Sequence, residues 1–229
     1  MTRMAWFTAD AIEFFRELEL NNNKEWFTAN KERYQRSVQR PMEAFAAAMI
    51  SRVKQIDPSI ATDPKKACFR IYRDIRFSKD KTPYKTNAGM WVSSGIAHQD
   101  AKPGLYFHID PRIMGIASGL YSLEPPQIHA VRAHLAANLE RFEELLKNPR
   151  FVAAFGTVRG EANKIAPAEF KAAAAKQPLI LNKQFYYWSE FEAEEALRED
   201  LAELLMDRLE AARPMNEFLM SAPSIARND

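Results

Sequence analysis

Three β-prone runs follow one another closely in the middle of the chain, and they constrain the possible folds most. The runs are Thr86 to Ser93, Gly104 to Asp110 and Met114 to Leu120, and Gly and Pro residues separate them. No long helix fits between them, which favours antiparallel pairing because a parallel pair needs a long crossover connection. The alternating run from Cys68 to Arg73 predicts another strand just before them.

Helical patterns precede this region. Apolar residues recur every three or four positions between residues 8 and 56, as expected for helices with one buried face. Thr8 is a candidate N-cap, and Asn21-Asn22-Asn23 ends the first helix because Asn tolerates the left-handed conformation of turns. A second helix follows, Pro41 begins a third, and Asp57-Pro58 ends it.

Helical patterns also follow the β-prone region. Residues 124–220 are predicted to be mostly helical, and they include an acidic amphipathic helix from Glu192 to Ala212. Within them, Leu179 to Leu181 and Phe185 to Trp188 fit either short strands or buried turns.

We therefore predict an α+β fold in a single domain over residues 1–229. A mainly antiparallel sheet forms in the strand-rich middle of the chain, residues 66–121. N-terminal helices, in residues 8–56, and C-terminal helices, in residues 124–220, pack against it. The chain has 229 residues, 47% of them hydrophobic and 27% charged, which argues against disorder, collagen and a coiled coil.

The cysteine content and the apolar runs indicate a compartment. The single cysteine, Cys68, excludes a disulfide within the chain and a metal site built from several cysteines. No apolar run approaches the ~18–20 residues of a membrane span, and the first ten residues do not resemble a signal peptide. We therefore expect a cytoplasmic protein with no membrane partner. The sequence predicts no cofactor and does not indicate the oligomeric state.

Positive charge is concentrated in one basic segment, residues 65–85. The segment reads KKACFRIYRDIRFSKDKTPYK and holds eight cations against two acids, a net charge of +6, although the whole chain carries only +2. Like charges at this spacing repel one another unless a ligand or nearby acids neutralise them. If Cys68 to Arg73 is a strand, Arg70 and Tyr72 share one of its faces.

The preferred hypothesis is that this segment forms one basic pocket for a small molecule that carries a phosphate or a carboxylate. Arginine offers a planar fork that suits both groups, and lysine adds a mobile point charge. Arg73, Arg76 and Lys81 are the expected anion contacts, and Asp74 or Asp80 would orient them. The predicted ligand-binding residues are Arg70, Arg73, Asp74, Arg76, Ser78, Lys79, Asp80, Lys81, Thr82, Tyr84 and Lys85. The sequence leaves open whether the protein is an enzyme.

Two alternatives remain open. In the first, the cations and interleaved aromatics such as Tyr72 and Phe77 bind nucleic acid, because such surfaces hold the backbone and stack on bases. Asp74, Asp80 and Lys81 also supply the residue types of a metal-dependent nuclease. In the second, the protein is an interaction or structural module, and acids of the same chain neutralise the basic segment internally.

Three further groups have reactive or unusual chemistry. His108 and Asp110 are two residues apart in a predicted strand, so they share a face and could bind a metal or exchange a proton. Cys68 lies in an apolar run, which favours a buried, inert thiol. Asn30 lies among aromatic residues and needs hydrogen-bond partners, so we expect it to tie its helix to the basic segment.

The stretch from Arg73 to Lys85, RDIRFSKDKTPYK, resembles the signature of a widespread bacterial family, domain of unknown function 2461. Further stretches that resemble the family are Asn21 to Phe27, Asn30-Lys31, Tyr34, Pro41, Gly119 to Tyr121, Arg132 and Leu181 to Lys183. The resemblance covers most of the chain. It implies a single α+β domain and no established activity.

The chain departs from the family pattern at Ile165 to Glu169. The resemblance leads us to expect a Pro, a basic residue and a Gly there, but the chain reads IAPAE. If this turn contributes to a pocket in the family, that pocket is altered in this protein.

Overall fold

A four-stranded antiparallel sheet forms the β part of the computed structural model, which describes residues 5–60, 62–95 and 102–223. The strands are β1 (Ala88–Ser93), β2 (Gly104–Ile109), β3 (Ile113–Leu120) and β4 (Phe185–Glu192), in the order β1-β2-β3-β4. The first three confirm the strands predicted in the middle of the chain. Asp110 closes the turn between β2 and β3, because its carboxylate accepts hydrogen bonds from the N–H groups of Arg112 and Ile113 at 2.7 and 2.8 Å.

Helices surround these strands in the sequence and confirm the α+β fold. The α-helices are α1 (Ala9–Leu20), α2 (Lys24–Ala29), α3 (Lys31–Tyr34), α4 (Arg40–Val53), α5 (Pro64–Ala67), α6 (Pro125–Ala137), α7 (Leu139–Leu146), α8 (Pro149–Phe155), α9 (Lys171–Lys176) and α10 (Leu201–Met220). A π-helix, Gln35–Gln39, joins α3 to α4, and 3-10 helices cover Ala168–Phe170, Pro178–Leu181 and Ala193–Leu197. Among the described helices, none is both long and apolar enough to cross a membrane.

The predicted strand from Cys68 to Arg73 is wrong. Only single residues of this run pair with another part of the chain: Cys68 bridges to Met90 in β1, and Tyr72 bridges to Tyr84. Because these two residues pair with different partners, the chain turns away from β1 between them and folds back on itself. No continuous ladder of hydrogen bonds can form along such a path.

The predicted acidic helix from Glu192 to Ala212 is wrong in its first nine residues. A 3-10 helix occupies Ala193–Leu197, and α10 begins only at Leu201. The N–H of Ala193 donates to the carbonyl of Arg112 at 3.0 Å, so this residue continues the tertiary pairing of β4. The helical spacing of the leucines did not reveal this competing backbone contact.

The three asparagines after α1 end that helix at the predicted place but by another mechanism. Asn21 donates through Nδ2 to the carbonyl of Glu17 at 2.9 Å, and Asn23 accepts a hydrogen bond from the N–H of Trp26 at 2.9 Å, which caps α2. No described residue other than glycine has a positive φ. The asparagines therefore act through their side-chain amides, and a left-handed backbone is not needed.

The described residues divide into two compact units. The first comprises described parts of residues 1–92, 106–116 and 190–206, and the second comprises those of residues 93–105, 117–189 and 207–229. The prediction that residues 1–229 form a single domain stays a prediction.

Aromatic side chains dominate the core of each unit. In the first unit, the fully buried ring of Phe45 lies 5.2 Å from that of Phe107. In the second unit, Phe151 and Phe155 each lie 5.1 Å from the fully buried ring of Tyr187. Tilted and edge-on ring pairs at these distances add attraction to the burial of apolar surface.

Candidate functional site

A cleft of about 390 Å³ opens in the first unit, and the start of the basic segment forms one of its walls. The helical wall contributes Phe27, Lys31, Tyr34, Gln35, Gln39 and Glu43, and the other wall contributes Lys65, Cys68, Phe69, Arg70, Ile71 and Tyr72. This volume falls within the range of ~300–1,000 Å³ that is typical of small-molecule sites.

The π-helix Gln35–Gln39 shapes the helical wall of the cleft. Turns of this kind are rare and are frequent at functional sites. Gln35 and Gln39 line the cleft, whereas Ser37 is buried and donates to the carboxylate of Asp10.

An ion-pair network fixes the helical wall from the opposite side. Arg33 donates to Asp10 at 2.8 Å and to Glu17 at 2.8 Å, and both acids belong to α1. The hydrogen bonds from Arg33 and then from Ser37 hold the pKa of the Asp10 carboxyl below its ordinary value. Asp10 is therefore ionised at neutral pH, and it connects α1 to the π-helix.

The cleft carries more positive than negative charge. Lys31, Lys65 and Arg70 line it, and Glu43 is the one acid among its described lining residues. Within the part of the chain that the structure describes, the side chains of these three cations make no ion pair and no hydrogen bond. Burial is the larger cause of the lowered pKa of Lys85, and the positive charge of Arg70 is the second, so Arg70 also acts electrostatically on a residue outside the cleft.

The thiol and one phenol of the cleft stay protonated at neutral pH. Burial, assisted by the charge of Glu43, raises the pKa of Cys68 to about 12. Burial also raises the pKa of Tyr34, with Cys68 and Glu43 as further causes. Because a thiolate is the reactive form of cysteine, Cys68 has the properties of an inert thiol, as its sequence context predicts.

The rest of the basic segment folds back on itself, and we call residues 71–85 the basic arm. The N–H of Lys85 donates to the carbonyl of Ile71 at 2.8 Å, and the N–H of Arg73 donates to the carbonyl of Pro83 at 3.0 Å. These bonds flank the Tyr72–Tyr84 bridge and bring the two ends of the arm together.

Arg73 joins the two sides of the basic arm from within. Its guanidinium donates to the carboxylate of Asp80, to the hydroxyl of Thr82 and, at 3.5 Å, to the hydroxyl of Ser78. The pKa of Asp80 falls to about 2, chiefly because the N–H of Thr82 donates to its carboxylate and then because of Arg73. The charge of Arg73 is therefore neutralised inside the arm.

The tip of the basic arm holds a second ion pair. Arg76 donates to both carboxylate oxygens of Asp74, at 3.0 and 2.7 Å. Lys81 donates to the carbonyl of Ile75 at 2.9 Å. Phe77 is 95% exposed, and the guanidinium carbon of Arg76 lies 5.8 Å from its ring centroid.

The base of the basic arm is anchored to the N-terminal helices. The buried ring of Tyr84 stacks on Phe27 with 4.0 Å between ring centroids. Asn22 donates to the carbonyl of Tyr84 at 2.9 Å and accepts from its N–H at 3.1 Å. The expected tie through Asn30 is wrong, because Asn30 donates to the carbonyl of Trp26 in its own helix at 3.0 Å.

The predicted ligand-binding residues fall into separate groups. Arg70 lines the cleft, and the group that meets inside the basic arm comprises Arg73, Ser78, Asp80 and Thr82. At the tip of the arm, Asp74 pairs with Arg76, Lys79 is exposed and Lys81 donates to a backbone carbonyl. At its base, Tyr84 is buried, and Nζ of Lys85 lies 5.4 Å from the ring centroid of Phe69. None of the expected anion contacts Arg73, Arg76 and Lys81 lines the cleft.

The helical wall contains four polar residues that the sequence did not indicate as site residues. Lys31, Gln35, Gln39 and Glu43 are spaced four residues apart, which in a helical stretch places them on one face. A polar stripe of this kind normally marks a face turned to water. Only the position of the basic segment opposite this stripe makes it one wall of a cleft.

The histidine and acid proposed for a metal or a proton transfer lie close together. His108 Nε2 is 3.8 Å from Asp110 Oδ2, and His108 Nδ1 lies 3.1 Å from the hydroxyl of Tyr106. Burial lowers the pKa of His108, although the charges of Asp110 and Glu190 oppose this effect. Among the described residues, no three His, Cys, Asp or Glu side chains are grouped closely enough to hold a metal ion.

The family profile described as conserved hypothetical protein (DUF2461) matches residues 10–218. The chain belongs to this family. The match confirms the resemblance to this family, and it extends over both units. A search of curated proteins finds no significant match.

The structure shows where two stretches lie that bear on the resemblance to DUF2461. The signature-like stretch Arg73 to Lys85 makes up nearly all of the basic arm. The turn at Ile165 to Glu169, which departs from the expected family pattern, lines no part of the cleft. The departure therefore leaves the walls of this cleft unaltered.

Proposed function

We propose that the cleft binds a small molecule that carries a phosphate or a carboxylate. The supporting observation is that Lys31, Lys65 and Arg70 line the cleft, and no acid is within ion-pair distance of them in the described structure. A bound anion would remove the repulsion among these cations, and it would receive the charge-assisted hydrogen bonds that they can donate.

The proposal assigns the anion contacts to different residues from those that the sequence favours. Arg73 and Arg76 already donate to Asp80 and Asp74, so an anionic ligand would compete with these carboxylates and be repelled by their charge. Arg70 needs no such rearrangement. Its planar fork suits a carboxylate or a phosphate, and the two lysines supply mobile charges beside it.

The basic arm has a supporting role in this proposal. Tyr84 and Asn22 fix its base to the helices, and Ile71 and Tyr72 of the arm line the cleft. The arm thereby holds Arg70 opposite the polar stripe of the helical wall.

Nucleic-acid binding is a second candidate, and one observation favours it. Phe77 is almost completely exposed, with the guanidinium of Arg76 against its ring and the exposed Lys79 nearby in the sequence. An exposed aromatic ring beside cations is suited to stacking on an unpaired base. This surface is the tip of the basic arm and is distinct from the cleft.

A thermal-shift screen with matched variants tests both candidates. The ligands are phosphate, sulfate, nucleotides, sugar phosphates, dicarboxylates and short oligonucleotides, each at low and moderate salt. A small anion should raise the melting temperature of the wild type and of Arg76→Ala, and it should raise that of Arg70→Ala less at the same concentration, since binding to the native state stabilises it. The cleft proposal fails if no small anion shifts the wild type, or if Arg76→Ala removes the shift and Arg70→Ala does not.

A further inference from the structure

The basic segment and the part of the helical wall at Gln39 and Glu43 offer opposite groups to a ligand, although Lys31 adds a cation to the helical wall. On the helical wall, Gln39 donates through Nε2 to Oε1 of Glu43 at 2.9 Å. This bond leaves Oε2 of Glu43 and Oε1 of Gln39 as acceptors. The basic segment offers the donors of Lys65 and Arg70 instead.

The acidic and basic groups also have different neighbours. Glu43 is close enough to Cys68 and Tyr34 to contribute to raising the pKa of both groups. Arg70 is close enough to Lys85, at the base of the basic arm, to contribute to lowering its pKa. By position, the acceptors of Gln39 and Glu43 belong to the helical wall, and Arg70 belongs to the basic segment opposite it.

Aromatic rings line the cleft between these groups. Tyr72 is 52% exposed although it lies 5.5 Å from Tyr84 and 6.3 Å from Phe27, so about half of its surface remains available to a ligand. Phe69 is half-buried and lines the same wall. Such rings favour contact with a flat group, because stacking buries apolar area at good geometry.

We propose that the ligand of the cleft is bipolar: a planar ring with N–H donors faces Glu43 and Gln39, and its phosphate or carboxylate faces Arg70 and Lys65. This inference rests on the proposed function, and it adds the ring and its donors to the anion. The volume of about 390 Å³ lies near the lower end of the range for ligand sites, which favours one ring system over an extended chain.

Nucleobase phosphates and amino-substituted aromatic acids share this chemistry. Guanosine monophosphate represents the first source and 4-aminobenzoate the second. Phenyl phosphate carries a ring without N–H donors, ribose 5-phosphate carries an anion without a planar ring, and inorganic phosphate carries the anion alone.

Calorimetric titration of the wild-type protein with these five probes tests the inference. At least one of the two complete probes should bind about tenfold more tightly than inorganic phosphate, as one stacked ring would give, and the tighter of them identifies the source. The affinity for phenyl phosphate should lie between that for inorganic phosphate and that for the tighter complete probe. Equal affinities for all phosphate probes would overturn the bipolar ligand and leave the anion site intact, whereas no binding of any probe would overturn the proposed function as well.

Two variants test which residues recognise the ring of the ligand and its N–H donors. Tyr72→Ala should weaken the tighter complete probe about tenfold while the affinity for inorganic phosphate is unchanged. Glu43→Gln should weaken the same probe but not phenyl phosphate, which has no N–H group to offer. Phe77→Ala is the matched aromatic control, because Phe77 is exposed on the basic arm and does not line the cleft. If Phe77→Ala and Tyr72→Ala reduce the affinity for the tighter complete probe equally, the assignment of the ring to the cleft is wrong.

Discussion

The start of the basic segment and the basic arm are both rich in cations, but these cations have different partners. At the start, Lys65 and Arg70 line a cleft and have no acidic partner in the described structure. In the arm, Arg73 and Arg76 each have a carboxylate within a few residues, at Asp80 and Asp74. One stretch of sequence thus contains cations available to a ligand and cations neutralised by their neighbours.

This difference shows that charge density alone does not identify a binding site. The two acids of the segment both lie in the arm, where tight turns bring them to arginines two and seven residues away. The side chains of Lys65 and Arg70, before the arm, make no ion pair in the described structure, although Asp63 accepts a hydrogen bond from the backbone N–H of Lys65 at 2.8 Å. The positions of the acids therefore distinguish the two regions better than the number of cations does.

The largest expected effect is on the anchor that holds the arm beside the cleft. Phe27→Ala should lower the free energy of unfolding by about 3–5 kcal/mol, because the ring is 3% exposed and stacks on Tyr84. Phe77→Ala, at the exposed tip, should change it by less than about 0.5 kcal/mol. Denaturant titration measures both values, and similar losses in the two variants would contradict the anchor.

The next effect separates the two arginines of the arm. Arg73→Ala should lower the free energy of unfolding by about 1–2 kcal/mol, since Arg73 is 26% exposed and its loss removes the hydrogen bonds that it donates to Asp80 and Thr82. Arg76→Ala should lower it less than Arg73→Ala does, because the side chain of Arg76 is 76% exposed. The reverse order in a denaturant titration would mean that Arg73 does not join the two sides of the arm.

Arg70→Ala should affect anion binding more than stability, whereas Arg73→Ala should affect stability more than anion binding. We expect a change in stability below about 0.5 kcal/mol, because Arg70 is exposed and unpaired. We also expect about tenfold weaker binding of a small anion, the order of one charge-assisted hydrogen bond. Calorimetry and denaturant titration of the same sample give both numbers, and a large stability loss with unchanged binding would instead place Arg70 in an internal network.

A smaller effect concerns pH and again distinguishes the arm from the cleft. The folded-state pKa of Asp80, about 2, lies below its ordinary value of 3.8, so its contribution to stability is complete above about pH 4 and disappears as the pH falls towards 2. Carbon-13 titration of the Asp80 carboxyl checks this range. In Arg73→Ala the midpoint should rise only partly towards 3.8, because the N–H of Thr82 is the larger cause; no rise would exclude a contribution from Arg73.

The smallest expected effect is the reactivity of the cleft thiol. Cys68 should react slowly with iodoacetamide near neutral pH, and its rate should still be rising at pH 10, because its pKa is raised to about 12. Glu43→Gln should accelerate the reaction slightly, since the charge of Glu43 contributes to the raised pKa. A rate that levels off below pH 9 would contradict a half-buried thiol that stays uncharged at neutral pH.

The sequence predicts best those features that local patterns determine. β1 and β3 are recognisable as short β-prone runs bounded by turn residues. The alternation in β2 and the apolar spacing of α1 identify their elements, because one face of each is buried. The run from Cys68 to Arg73 also alternates, but its backbone partners belong to two separate segments. A pattern of burial does not reveal which backbone groups will meet.

The candidate site could be predicted only in part for the same reason. Arg70 belongs to the segment that its charge makes conspicuous, whereas Gln35, Gln39 and Glu43 resemble an ordinary solvated helix face. Their function as a cleft wall depends on a π-helix and on contacts made far away in the sequence. The Asn22–Tyr84 contact spans 62 residues and is equally hidden from a local pattern.

The central claim is that Arg70 is available to an anion and that Arg73 is not. Phosphate titration, observed through the Nε–Hε signals of both arginines by nuclear magnetic resonance, tests it most directly. The Arg70 signal should move in a saturable manner and the Arg73 signal should stay in place. Movement of Arg73 with no change at Arg70 would contradict the account and return the anion site to the basic arm.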